Sequence, residues 1–131
     1  MKKGMETGQT AVHEFRVTTD MFASFEGEVV HPAYSTVSMV YHMEWASRKI
    51  ILPYLEDHEE GIGGSVKVKH IAPSGAGTAI KVTATLTKLE GNLVFTEVEA
   101  HNEAGIIGKG EVVQAILPKH VIQEKINKSG A

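Results

Sequence analysis

Three polar residues of this sequence, Thr36, Glu44 and His70, can take part in acid–base chemistry and lie in otherwise apolar segments. An imidazole can activate a hydroxyl or a water molecule for attack on a carbonyl, and a carboxylate can orient either one. Each residue type also has ordinary structural uses. Their positions in the predicted elements therefore decide which role applies.

Glu44 lies in the longest helical segment of the chain. At about 100° per residue, Val37 and Ile51 fall on the same side of the helix as Glu44, whereas His42 lies on the opposite, solvated edge. A carboxylate among apolar side chains is costly unless it is paired or neutralised. Two interpretations stay open: a partly exposed carboxylate paired with Arg48 one turn on, or a functional group.

His70 ends a segment with a period of two, in which Val66 and Val68 share its face while Lys67 and Lys69 point the other way. Such a histidine is either a hydrogen-bonded core residue or a catalytic one. Two titratable groups on surfaces that are predicted to pack together favour a functional site.

Thr36 stands at the predicted entrance of the helix, eight residues before Glu44. Eight residues correspond to about 12 Å of rise, so the two side chains can border one ligand without touching. The helix start also offers free backbone N–H groups to a carbonyl or an oxyanion. The structural alternative is that Thr36 only caps the helix.

Other kinds of site are not indicated. The chain has no cysteine, and no histidine pair has the spacing of metal ligands, so we predict no metal and no cofactor. Residues Gly61, Gly63 and Gly64 lack the lysine of a nucleotide-binding loop. They can still bring backbone amides close to a ligand, which makes Gly63 and Gly64 candidates for substrate binding.

The elements that position these residues follow from hydrophobic periodicity. The predicted layout is a strand, a loop or lid carrying Phe22 and Phe25 as apolar contacts, one long helix that Pro53 kinks or closes, a glycine-rich turn, four strands and a polar tail. Their ranges are Thr10–Val17, Thr18–Tyr34, Val37–Leu55 after a cap at Ser35 or Thr36, Glu56–Gly64, Ser65–Ile71, Thr78–Lys88, Leu93–His101, Ile106–Ile116 and Lys119–Ala131.

Consecutive antiparallel strands with one apolar helix predict an α+β fold in which the sheet wraps the helix, known as the hotdog fold. No repeat or second core is visible, so residues 1–131 are predicted to form a single domain.

Composition narrows the functional class. The net charge of −3 offers no basic field for a nucleic-acid backbone, so no nucleic-acid partner is expected. No segment resembles a signal peptide or reaches the ~18 apolar residues of a membrane span, so we expect a cytoplasmic protein without a membrane partner.

In addition, the sequence resembles the fluoroacetyl-CoA thioesterase-like family of hotdog proteins. The resemblance spans about residues 1–116, and its most specific part is the order of a Met-Glu-Trp-Ala segment before a Val-x-His strand. The matching positions are Gly4-Met5, Gly8, His13, Phe15, Met43-Glu44-Trp45-Ala46, Pro53-Tyr54-Leu55, Gly63, Val68-x-His70, Glu90-Gly91, Ala100-His101 and Ile107-Gly108-x-Gly110.

This resemblance implies hydrolysis of a small acyl-CoA thioester by a homodimer, or a higher oligomer, with two active sites at the subunit interface. It implies that Thr36, Glu44 and His70 form the catalytic set and that Gly63, contributed across the dimer, binds the thioester carbonyl. Further candidates for substrate binding are Gln114 and, in the lid, Phe22 and Phe25. Gln114 stands where the fluoroacetyl enzyme has an arginine, and the segment before Thr36 looks shorter than that enzyme's lid. Fluoroacetyl specificity is therefore not implied.

On this basis we expect His70 to act as general base toward Thr36 or a water molecule, and Glu44 to orient either His70 or the water. Outward-facing lysines are candidates for contacts with the CoA phosphates, namely Lys67, Lys69 and Lys81. Two alternatives on the same fold are a non-catalytic acyl-CoA-binding or sensing module and a dehydratase or hydratase.

Overall fold

The computed structural model describes residues 1–130. In chain order the elements are β1 (Thr10–Arg16), a 3-10 turn (Thr19–Met21), β2 (Phe22–Phe25), β3 (Glu28–Tyr34), α1 (Thr36–Ile51), a second 3-10 turn (Leu52–Tyr54), β4 (Glu59–His70), β5 (Ala79–Glu90), β6 (Leu93–Asn102), β7 (Gly105–Pro118) and α2 (Lys119–Ser129).

Five of the strands form one antiparallel sheet in the order β1-β5-β6-β7-β4, and β2 pairs with β3 in a separate hairpin. Helix α1 packs against all five strands of the large sheet. The core lies between that helix and the sheet, where alternating residues of each strand are buried. The predicted α+β hotdog arrangement is thereby confirmed.

The ends of α1 follow from local sequence. Ser35, in an extended conformation, is the N-cap, and its hydroxyl accepts a hydrogen bond of 3.0 Å from the Ser38 backbone N–H. At the other end, Pro53 lies in the 3-10 turn that follows Ile51. The predicted closure of the helix near Pro53 is confirmed.

The buried face of α1 differs from the one that the helical wheel predicts. It is centred on Met39, Met43 and Ala46, which are fully buried, whereas Val37 on the Glu44 side is 78% exposed. The predicted position of His42 on the solvated edge is wrong, because His42 is only 4% exposed. Of the apolar residues predicted on the Glu44 side, only Ile51, at the end of the helix, is buried.

Two segments predicted as irregular are strands. The predicted loop at 18–34 contains the β2–β3 hairpin, whose two central residues, Glu26 and Gly27, both have positive φ, as a tight hairpin turn requires. The predicted turn at 56–64 is also wrong, because β4 already begins at Glu59. Glycines in β4 and exposed side chains in β3 hide the period of two in these strands.

Glycines in β7 allow α1 to lie close to the sheet. A Cβ atom at Gly108 would overlap the sulfur of Met39, and one at Gly110 would lie 3.2 Å from the sulfur of Met43. The two methionines are one helical turn apart and fill the space left by the two glycines. This contact sets the height of the helix above the sheet.

Membrane crossing by a helix is not supported: within residues 1–130, neither α-helix combines the length and the hydrophobicity of a membrane span.

Candidate active site

Thr36 and His70 meet at the entrance of α1. The Thr36 hydroxyl oxygen lies 2.8 Å from His70 Nδ1, although the two residues are 34 positions apart in the chain. Thr36 is exposed and His70 is half-buried, so the pair is open to solvent. Such a contact is what the expected transfer of a proton from Thr36 to His70 requires.

The second ring nitrogen of His70 fixes the direction of this hydrogen bond. His70 Nε2 lies 3.0 Å from the carbonyl oxygen of Ala72, which can only accept, so in the neutral ring Nε2 carries the proton. Nδ1 is then an acceptor, and the Thr36 hydroxyl donates to it. A hydroxyl that donates to an imidazole is in position to lose its proton to that base.

Thr36 is free for this contact because Ser35 caps the helix instead. Since the Ser35 hydroxyl accepts from the Ser38 N–H, the cap needs no help from Thr36, and the interpretation of Thr36 as a mere cap is wrong. Thr36 is the first residue of α1, and its own N–H and that of Val37 have no carbonyl acceptor one turn back. The helix entrance therefore presents a hydroxyl and free backbone donors together.

His70 is brought within reach by the packing of β4 against β7. It is the last residue of β4 and lies directly opposite Gly108 in the register of the two strands. Because Gly108 leaves room for Met39, the first turn of α1 comes close enough to β4 for Thr36 to contact His70.

A second hydroxyl–histidine pair lies beneath the first. The Tyr34 hydroxyl is 2.6 Å from His42 Nδ1, and both residues are buried. Burial, together with the nearby His13, lowers the pKa of His42 to about 4, so its ring is neutral near pH 7. Burial also raises the pKa of Tyr34.

Aromatic rings hold this buried pair in place. The His42 ring stacks on Phe15, with ring centroids 3.9 Å apart, and the edge of Tyr34 faces the His70 ring at 6.3 Å. Tyr34 also lines a cavity of about 370 Å³ into which Thr36 and His70 open. Tyr34 therefore connects the cavity of the exposed pair to the buried His42.

The two phenylalanines that sequence analysis selected lie beside Thr36. Phe22 and Phe25, from β2, line a cavity of about 280 Å³ together with Thr36 and Val37. The β2–β3 hairpin thus borders the helix entrance, as expected of a lid.

Glu44 lies elsewhere on the surface. It is exposed and opens onto a cavity of about 350 Å³, which is separate from the one that holds the Thr36–His70 pair. The expectation that Glu44 and His70 pack together is not met within a single chain, because the two residues line different cavities. Since both nitrogens of His70 already have partners, Ala72 fills the orienting role that we considered for Glu44.

The predicted alternative for Glu44, an ion pair with Arg48, is not formed. Arg48 instead makes a two-pronged pair with Glu60, at 2.7 and 3.0 Å, which raises the pKa of Arg48 and lowers that of Glu60. Arg48 lines the same cavity as Glu44 but its guanidinium is occupied.

The cavity of Glu44 also contains two further residues that sequence analysis selected, Gly63 and Gln114. They are direct partners in the register of β4 and β7. Gly64, by contrast, sits in a bulge between paired positions, and a Cβ atom there would approach the Val113 carbonyl oxygen to 3.3 Å.

The structure therefore divides the selected residues into two groups. One group surrounds the helix entrance and consists of Thr36, His70, Phe22 and Phe25. The other surrounds the second cavity and consists of Glu44, Gly63 and Gln114.

The sequence did not lead us to Tyr34 and His42. The available signal was a tyrosine and a histidine eight positions apart, on either side of a predicted helix start. Lys67, Lys69 and Lys81 are exposed. In the described part of the chain, no group of three or more His, Asp or Glu side chains is arranged to hold a metal.

The chain is similar in sequence to known thioesterases. Residues 17–120 match the family model of the fluoroacetyl-CoA-specific thioesterase. The fluoroacetyl-CoA thioesterase of Streptantibioticus cattleyicolor is 30% identical over 139 aligned positions, which cover 98% of this chain and 96% of that protein.

Solved structures of other proteins resemble this one over nearly the whole chain. A thioesterase superfamily member from Thermus thermophilus is 45% identical, with a TM-score of 0.93 over 98% of this chain and 95% of that one. A variant of the fluoroacetyl-CoA thioesterase in complex with acetyl-CoA is 28% identical, with a TM-score of 0.89 over 97% and 100% of the two chains. A hot-dog-like protein from Thermanaerovibrio acidaminovorans, 17% identical with a TM-score of 0.88 over 95% and 93%, shares the fold.

Proposed function

Because the chain belongs to the fluoroacetyl-CoA-specific thioesterase family, we propose that it hydrolyses a small acyl-CoA thioester to the free acid and CoA. The observation that carries the chemistry is the hydrogen bond from the Thr36 hydroxyl to His70 Nδ1. CoA enters only as part of the substrate, no further cofactor is needed, and we place the reaction in the cytoplasm.

In the proposed reaction His70 Nδ1 takes the proton of the Thr36 hydroxyl as its oxygen attacks the thioester carbonyl. The carbon–sulfur bond breaks, and the proton passes from His70 to the leaving CoA sulfur. Water then cleaves the acyl-threonine ester and releases the acid. In the alternative route His70 takes a proton from water, which attacks the thioester directly. Trapping of an acyl-threonine with a slow substrate distinguishes the two routes.

Glu44 acts, in this proposal, on the attacking water rather than on His70. Its distance of about 12 Å along the helix from Thr36 prevents it from joining the Thr36–His70 pair of its own chain. A second copy of the chain can supply it instead. We therefore place Thr36 and His70 of one protomer opposite Glu44 and Gly63 of the other, with two such sites in a homodimer.

Two surfaces support the dimer. Val37, Tyr41 and Trp45 form an exposed apolar face of α1 beside Glu44 and are 78%, 59% and 40% exposed. Strand β4, which carries Gly63, is an edge of the sheet, so one side of its backbone has no strand partner among residues 1–130. Both are features that proteins usually cover.

A thiol-release assay on short acyl-CoAs tests the activity, and mixed dimers test the arrangement. His70→Ala and Glu44→Ala chains, each inactive alone, are co-refolded. If each site takes these residues from different protomers, half of the dimers are mixed and each contains one intact site. About one quarter of the wild-type activity should return.

The matched control mixes His70→Ala with Thr36→Ala. These two residues touch within one chain, so every site of the mixed dimer stays defective and no activity should return. Recovery in the control, or none in the first mixture, would contradict the shared site. Saturable binding of acyl-CoA without thiol release would favour the sensing module over the enzyme.

A further inference from the structure

Gln114 has an unusual environment in the Glu44 cavity. It is only 6% exposed, and its Nε2 is the one buried side-chain nitrogen or oxygen atom that lacks a hydrogen-bond partner within residues 1–130. Leaving such a group unpaired in the interior destabilises the folded protein. An unpaired buried amide therefore calls for a partner from outside the chain.

The position of Gln114 indicates what that partner is. Gln114 is directly opposite Gly63 across β4 and β7, so the two residues are neighbours in the cavity. With the thioester carbonyl bound at Gly63, as proposed above, the first carbons of the acyl group lie beside the Gln114 amide.

The charges of the cavity narrow the class of acyl group. A carboxylate brought into this cavity loses its hydration, which costs free energy unless a positive charge compensates for it. Glu44 lies in the same cavity and repels a second negative charge, and Arg48 is occupied by Glu60. A plain alkyl group would leave the amide of Gln114 unpaired.

We propose that Gln114 selects a short acyl group with a neutral oxygen substituent, such as a hydroxyl, close to the thioester carbonyl. This inference rests on the proposed thioesterase function and adds the substrate class. The buried amide can form a hydrogen bond with an oxygen at this position, whereas a methyl group of similar size leaves the amide unpaired. A site built to hydrogen-bond its substrate therefore discriminates strongly against an analogue without the polar group.

The test compares kcat/KM for 2-hydroxyacetyl-CoA and propionyl-CoA, which differ by a hydroxyl in place of a methyl group. The wild type should favour the hydroxyacetyl substrate by about 10- to 100-fold. In Gln114→Met, which keeps the length of the side chain without its polar atoms, this preference should fall at least tenfold. Comparing the same two substrates in both proteins cancels their intrinsic reactivities. Malonyl-CoA, which carries a carboxylate, should be slower than 2-hydroxyacetyl-CoA.

A stability measurement separates a substrate-binding role from a structural one. If the amide is unpaired in the free protein, Gln114→Met should raise the melting temperature by about 2–5 °C. The matched control is Gln123→Met, because Gln123 is exposed on α2 and should affect neither quantity.

The outcomes distinguish the two levels of the proposal. Equal or faster hydrolysis of propionyl-CoA by the wild type, or an unchanged preference in Gln114→Met, would overturn the role of Gln114 and leave the thioesterase intact. A lower melting temperature of Gln114→Met with an unchanged preference would show that the amide bonds protein instead. Failure of the wild type to release thiol from any acyl-CoA would overturn the proposed function itself.

Discussion

Two hydroxyl–histidine pairs of this protein can be compared almost atom for atom. Thr36 lies 2.8 Å from Nδ1 of His70, and Tyr34 lies 2.6 Å from Nδ1 of His42. The hydroxyl residues are two positions apart in the chain. The first pair opens onto a cavity. Tyr34 of the second pair lines the same cavity but is almost fully buried, and His42 is buried against Phe15.

The two pairs differ in exposure as well as in residue type, and we expect only the exposed pair to be reactive. The buried His42 stays neutral near pH 7 because its pKa is about 4, and no substrate can reach it. His70 reaches both solvent and the helix entrance. A hydroxyl beside a histidine therefore indicates chemistry only where a ligand can enter.

The largest expected effect is on catalysis at the exposed pair. His70→Ala removes the proposed base and should lower kcat by about 10²–10⁴, with a melting temperature close to that of the wild type, because His70 is half-buried. Steady-state thiol release and a thermal melt measure the two quantities. His120→Ala, an exposed histidine on α2, serves as the control. Unchanged turnover of His70→Ala would show that His70 is not the catalytic base, so the exposed pair would be no more reactive than the buried one.

The next effect is on the pH dependence of stability through the buried pair. The pKa of His42 is about 4 in the folded protein and about 6.5 in the unfolded chain. Between these values the unfolded chain binds more protons, so stability is fully present above about pH 6.5 and is lost as the pH falls toward 4. The lowered pKa of His13 acts in the same direction. Urea unfolding at about pH 7 and about pH 5 should differ by about 2 kcal/mol from His42.

The double variant Tyr34→Phe/His42→Phe is the matched control for this pH effect. It keeps an aromatic ring at each position and removes the hydrogen-bonding atoms together, so no polar atom of the pair is left buried alone. The part of the pH dependence that His42 causes should disappear in this variant, while thiol release per folded molecule persists. An equal loss of stability in acid would assign the effect to other groups.

The smallest effect separates Ser35 from Thr36. Ser35→Ala removes the N-cap and should lower the free energy of unfolding by about 1 kcal/mol, while Thr36→Ala should change it by less than about 0.5 kcal/mol. Thiol release should show the reverse order, with the greater loss in Thr36→Ala. Urea unfolding measures the stability of the two variants, and the thiol-release assay measures their activity. Equal losses of stability would mean that Thr36 also supports the helix.

Much of the fold could be predicted because its local signals agree with one another. The period of two after Ser65, the Gly91-Asn92 turn and the cap at the start of α1 all correspond to observed elements. Strands β2 and β3 could not be predicted in this way. Their side chains are mostly exposed, so the alternation that marks a half-buried strand is absent.

The site was predictable in part for the same reason. Thr36 and His70 could be found because a helix entrance and a strand face are local features. The burial of His42 could not, since it depends on Tyr34 and Phe15, which come from other elements. The helical wheel also placed Glu44 toward the core, because it cannot show that methionines rather than valines face the sheet.

The contact between Gly108 and Met39 has a consequence for how the protein can evolve. Gly108 pairs with His70 on the neighbouring strand, and Met39 lies one turn beyond Thr36 on the helix. The spacing of Thr36 and His70 thus depends on two residues with no acid–base chemistry of their own. A larger residue at 108 should be inherited only together with a smaller one at 39, so these two positions should covary among descendants that keep the activity.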